Sequence, residues 1–175
     1  MAKVEPFKYY PIERLLGESG AKSLVVVFLD NINDPQNIGV IIRTLACFGG
    51  FGIVLPKKHT CGINDTVMHV ASGGENYVPV ARVKSLSTAV EAAREKGYMI
   101  AGSIASEDAE NIQNVSFSFP LGVVFGSEGE GIRKSIRGLL DLRVCIPMEG
   151  APLSLNVNNA CAIFCYNILR QRKGW

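Results

Sequence analysis

Apolar positions along the chain fall into two rhythms. Residues 23–29 (SLVVVFL) form an unbroken, Val-rich apolar run, the pattern of a strand covered on both faces. Residues 51–55, 98–103, 121–125 and 142–146 repeat it on a shorter scale, and 77–83 is a brief extended piece. Between these runs, residues 38–48 and 86–96 carry apolar side chains at helical spacing and stop at Gly49-Gly50 and at Gly97. Residues 64–71 read as a short helix, 104–119 as a polar, irregular connection, and about 155–172 as a closing helix. Strands separated by helices predict a mostly parallel sheet with helices on both faces, a doubly wound α/β fold. Ligands of such sheets sit beyond the carboxyl ends of the strands. Three loops take that place here: 30–37, 126–131 and 148–154.

Composition narrows the class without choosing the chemistry. The 175 residues fit one domain, and 47% hydrophobic residues exclude a disordered chain and suit a buried sheet or an oligomer interface. A mean hydropathy of +0.19 says the same. The net charge of +2 neither requires nor excludes nucleic acid, because a local basic patch matters more than the sum. Cys47, Cys61, Cys145, Cys161 and Cys165 are odd in number and lack paired CxxC spacing. They read as reduced thiols in a cytoplasmic protein, not as a disulfide framework or a metal site. The opening MAKVEPFKYYPIERLLG is too polar for a signal peptide, and no apolar run is long enough to span a membrane.

Each loop holds candidate chemistry beside a plainer alternative. In NDPQNIGVIIRT, Pro35 and Gly39 shape the backbone, and Asn37 is expected just ahead of the helix, as its cap. Arg43 follows within an apolar stretch, either as a functional group or as a snorkelling side chain. In VVFGSEGEGI, Gly126, Gly129 and Gly131 let a backbone approach a ligand, or simply make a tight turn. Glu128 and Glu130 make that loop a poor phosphate cradle and suit a ligand carrying positive charge. In CIPMEGAPLSLNVNNACAIF, Ser154, Asn156, Asn158 and Asn159 give one helix start more amides than a single cap needs. That pattern suits recognition of a heterocycle, ribose or phosphate, or is an over-furnished cap.

In this order the loops resemble the three motifs of the SpoU (TrmH) family of RNA 2′-O-methyltransferases, within the SPOUT superfamily. The motifs are DNINDPQNIGVIIRT, VVFGSEGEGI and IPMEGAPLSLNVNNACAI, and the resemblance covers nearly all of residues 23–172. It implies an α/β fold with a C-terminal trefoil knot, S-adenosylmethionine as cofactor, and a homodimer with active sites near the subunit interface. It implies residues 1–22 as an N-terminal extension and 23–175 as the methyltransferase domain. By matching positions, Asn37, Arg43, Glu128, Ser154 and Asn156 carry the active site. Phe125, Gly126, Glu128, Ile146, Met148, Ser154 and Leu155 line the cofactor pocket.

The resemblance leaves the RNA open. SGGENYVPVARVKSL, residues 72–86, is similar to the rRNA-modifying branch and points to a guanosine of 23S-like rRNA. Asn159 and an N-terminal stretch too short for a separate RNA-binding domain point to tRNA. Asn158 departs from the commoner family pattern. Two basic clusters, Lys57-Lys58-His59 and Arg133-Lys134 with Arg137, flank the motif loops as candidate phosphate contacts. A non-catalytic RNA-binding member of the fold and a small-molecule binder are the competing functions.

Overall fold

The computed structural model describes residues 7–17, 24–106, 108–151 and 153–174. The expected extension is thus described only over 7–17, and the expected start of the first strand at Ser23 lies outside the described residues. Among the described residues seven strands form one parallel sheet: β1 (Val25–Asp30), β2 (Phe51–Pro56), β3 (Val80–Val83), β4 (Met99–Ser103), β5 (Glu110–Asn111), β6 (Leu121–Gly126) and β7 (Leu142–Cys145). Their order is β3-β2-β1-β6-β4-β7-β5. The helices are α1 (Ile12–Leu15), α2 (Pro35–Phe48), α3 (Asp65–Ala71), α4 (Leu86–Glu95), α5 (Lys134–Arg137) and α6 (Val157–Lys173).

Both faces of the sheet are covered, as the unbroken apolar runs require. Along β1, Val25, Val27 and Leu29 point into a core shared with α2, α3 and α6, where Ile38, Ile41, Ile42, Leu45 and Phe164 are buried. Val26 and Phe28 point the other way, into a core closed by α1, α4 and α5. One alternating strand therefore feeds two cores.

The chain does not add strands outward in order. β6 sits between β1 and β4, and β7 enters between β4 and β5, so later strands fill places that earlier ones leave. After β7, α6 returns to the face of α2. There Phe117 N–H donates to Gln171 Oε1 at 2.9 Å, and Gln171 Nε2 donates to the Val115 carbonyl at 2.9 Å. Segment 112–117, which leads from β5 back to β6, thus lies against the last turns of α6.

Several expected boundaries shift. Asn37 is not the cap of α2. Asp34 is, accepting from Gln36 N–H at 2.9 Å, with Pro35 at the first turn, so Asn37 lies inside the helix. α6 begins at Val157, not at Leu155, because the Asn156 side chain caps it. Residues 104–106 and 108–119 are irregular except for the two-residue β5. α1, α5 and the 3₁₀ turn at Gly74–Asn76 are additions to the expected elements.

Candidate functional site

The three motif loops meet at the carboxyl ends of β1, β6 and β7. β1 ends in Asp30, whose side chain is fully buried and accepts from Arg133 N–H at 2.9 Å and from Arg133 Nε at 2.7 Å. A buried carboxylate needs such a partner. The pair ties the end of β1 to the chain just past the glycine loop. Within that loop Ser127 bridges Gly131, and Gly131 takes a φ of +65°. A Cβ on Gly126 would stand 2.1 Å from the Gly131 carbonyl carbon, so the loop closes in this form only over glycine.

A cavity of about 250 Å³ opens beside this loop. Phe125, Gly126, Glu128, Ile146, Met148, Ser154 and Leu155, all expected at the cofactor pocket, line it. Its walls are mixed: Phe125, Ile132 and Val157 are apolar, while Glu128 and Glu130 bring carboxylates. Arg137 also lines it, but its Nε donates to the Ile132 carbonyl at 2.6 Å. The lining suits a small, part-apolar ligand with a positive centre.

At the edge of the cavity, side-chain amides from two motifs meet a carboxylate from the third. Asn156 Nδ2 donates to Glu128 Oε1 at 2.6 Å and reaches Asn37 Oδ1 at 3.4 Å. Asn158 Nδ2 donates to the same Asn37 oxygen at 2.8 Å. Asn156 Oδ1 accepts from Asn158 N–H at 2.9 Å as the helix cap, which fixes the amide that holds Glu128. Asn37, Glu128 and Asn156 are thereby held as one unit, with Ser154 in the cavity lining. Asn158, the departure from the family pattern, is a structural member of that unit.

Arg43 stands apart. It is exposed on the outer face of α2, in a stripe with Gln36, Val40 and Cys47, and takes part in none of these hydrogen bonds. The second basic cluster also changes meaning. Arg133 is paired with Asp30, and Arg137, though exposed, is oriented by its Nε bond to the Ile132 carbonyl. Sequence reasoning missed the Asp30–Arg133 tie. Its signal was a charged residue directly following the apolar run 24–29.

No group of His, Cys, Asp and Glu that could hold a metal ion occurs among the described residues. Nor does any described helix have the length and apolarity to cross a membrane.

Residues 24–166 match the family described as the SpoU rRNA Methylase family. An uncharacterized tRNA/rRNA methyltransferase of Synechocystis is 40% identical over 98% of this chain, which spans 45% of that protein's length. An uncharacterized tRNA/rRNA methyltransferase of Archaeoglobus fulgidus is 33% identical over 98% of the chain and 75% of its own length. Among solved structures, the SpoU methyltransferase AviRb of Streptomyces viridochromogenes in complex with AdoMet superposes with a TM-score of 0.77 at 29% identity, over 87% of this chain and 62% of that one. The A. aeolicus TrmH/SpoU tRNA modifying enzyme gives a TM-score of 0.77 at 26% identity, over 93% of this chain and 83% of that one.

Proposed function

The chain belongs to the SpoU rRNA methylase family, and from that premise we propose that it transfers a methyl group from S-adenosylmethionine to a ribose 2′-hydroxyl of RNA. The observation that carries this reading is the unit of Asn37, Glu128 and Asn156 at the edge of a cavity whose walls suit a sulfonium-bearing ligand. When bound, S-adenosylmethionine supplies an activated methyl group on a cationic sulfur. Glu128 and Glu130 give the cavity complementary charge, Phe125, Ile146 and Leu155 give it apolar wall, and the glycine loop lets backbone approach closely. The residues present fit the cofactor.

A ribose hydroxyl is a weak nucleophile, so the protein contributes mostly position and charge. The amide unit offers donors and acceptors in fixed places, held by hydrogen bonds before substrate arrives. Arg43 is an unsuitable base because a guanidinium stays protonated. Its role is to grip the adjacent phosphate and stabilise the alkoxide as it forms.

The exposed position of Arg43 supports a homodimer. On α2 the outer stripe includes Val40, 36% exposed, and on the neighbouring α6 it includes Ile163 at 38% and Tyr166 at 56%. A second copy covering this face buries those side chains and gives each Arg43 access to a site shared between subunits.

The substrate we favour is a guanosine of large-subunit rRNA, on the likeness of residues 72–86 to the rRNA-modifying branch. The tRNA alternative is favoured by the relative named for tRNA modification. A cytoplasmic setting goes with either RNA and with five free thiols.

The test is methyl transfer from labelled S-adenosylmethionine to total rRNA and total tRNA. Wild type is expected to yield methylated nucleotides resistant to alkaline cleavage, the mark of a blocked 2′-oxygen. Arg43→Ala is expected to lower turnover by roughly 100-fold or more, as removal of a transition-state donor does. Label found on a base, or Arg43→Ala turnover near wild type, rules the assignment out.

A further inference from the structure

β2 ends at Pro56, and residues 57–63 run on as a loop at the same carboxyl edge of the sheet as the catalytic unit. This loop is braced from behind. Lys57 N–H donates to the Val83 carbonyl at 2.7 Å, and Arg82 Nη2 donates to the Lys57 carbonyl at 3.3 Å. The Arg82 guanidinium also lies over the Tyr9 ring, 5.5 Å from its centre, and the Tyr9 hydroxyl accepts from Ile63 N–H at 2.9 Å. Gly62 has a φ of +67°, and a Cβ there would come within 2.9 Å of that hydroxyl and 3.3 Å of Arg82 Cζ. His59 has a φ of +61°, a conformation that non-glycine residues adopt at a cost.

While the backbone is fixed, the charges it presents are free. Lys57, Lys58 and His59 are all exposed. Lys84, just past the end of β3, continues the basic edge and is exposed as well. The loop also packs toward the first motif, since Cys61 and Ile63 lie against the core to which Ile32 and Ile38 belong. In the other cluster Arg133 is paired with Asp30 and Arg137 Nε is held by the Ile132 carbonyl, whereas no cation of loop 57–63 is tied in this way.

We propose that loop 57–63 is an RNA-backbone rest, on which Lys57, Lys58 and His59 take substrate phosphates as the strand enters beside the first motif. This rests on the reading of the chain as an RNA methyltransferase. A braced loop with exposed cations orders the strand at little conformational cost to the protein, and each phosphate contact releases a counterion.

The test compares wild type with Lys57→Ala/Lys58→Ala by fluorescence anisotropy on labelled total tRNA and fragmented 23S rRNA across a salt series. Lys96→Ala, at the C-cap of α4, is the control for simple charge loss. The double variant is expected to weaken RNA binding about tenfold and to flatten the slope of log affinity against log salt by about 1.5–2. Calorimetric affinity for S-adenosylmethionine is expected to stay unchanged. An unchanged slope, or an equal loss per lysine in Lys96→Ala, overturns the proposal. Methyl transfer to RNA with wild-type KM in the double variant overturns it while leaving the enzyme reading standing. Loss of salt-dependent binding in the variant, with wild type methylating no RNA, upholds the rest and overturns the enzyme reading.

Discussion

Asp30 is the only fully buried polar or charged side chain among the described residues, and its partner Arg133 is 38% exposed. The two halves of the pair are therefore unequal. Arg133→Ala leaves a buried carboxylate with only a backbone N–H and is expected to cost about 3 kcal/mol, whereas after Asp30→Ala the arginine turns to water at a smaller cost. Urea unfolding with an unchanged slope checks the order, and equal costs refute the asymmetry. Single residues were legible through the motifs: Gly126, Glu128 and Ser154 line one cavity, and Asn156 holds Glu128 at its edge. Asn37 reached the site by another route. Its place inside α2 was hidden because both Asp34 and Asn37 are competent caps, and Pro35 favours the earlier one. The partnership of Asp30 spans 103 residues, and no local pattern records it.

At the scale of elements, long periodic segments were readable and short ones were not. α1 and α5 have four residues each and β5 two, less than the span over which a period of 3.6 or 2 declares itself. Packing between elements was equally silent. Gly39 looked like a loop-shaping residue, yet it is buried within α2 at the crossing with α3, where a Cβ would stand 2.6 Å from Val70 Cβ and 2.9 Å from the Val67 carbonyl oxygen. Gly39→Ala is thus expected to push the helices apart and destabilise the fold by about 1–3 kcal/mol, despite alanine's better helix propensity. Thermal unfolding checks this; a raised melting temperature contradicts the close crossing.

The whole molecule was legible as a doubly wound α/β chain, but the strand order was not, because β7 entering between β4 and β5 is a fact about threading, not about pattern. The expected knot makes a mechanical prediction. Pulled from its two ends, a knotted chain stops short of the roughly 3.3–3.6 Å per residue of a fully extended one. Single-molecule stretching that recovers the full contour of all 175 residues means no knot. The expected dimer makes a genetic one. Arg43 lies outside the amide unit of its own chain, so inactive Arg43→Ala and Asn156→Ala chains, mixed as subunits, are expected to regain about a quarter of wild-type methyl transfer. No recovery in verified mixed dimers places each arginine in its own site. Asn156 carries a consequence in time as well. It caps the last helix and holds Glu128 and Asn37 at once, across 119 residues of chain. On the ribosome, then, residues 37 and 128 are made long before the side chain that joins them. Any activity that depends on this unit therefore waits until α6 has been made and has docked.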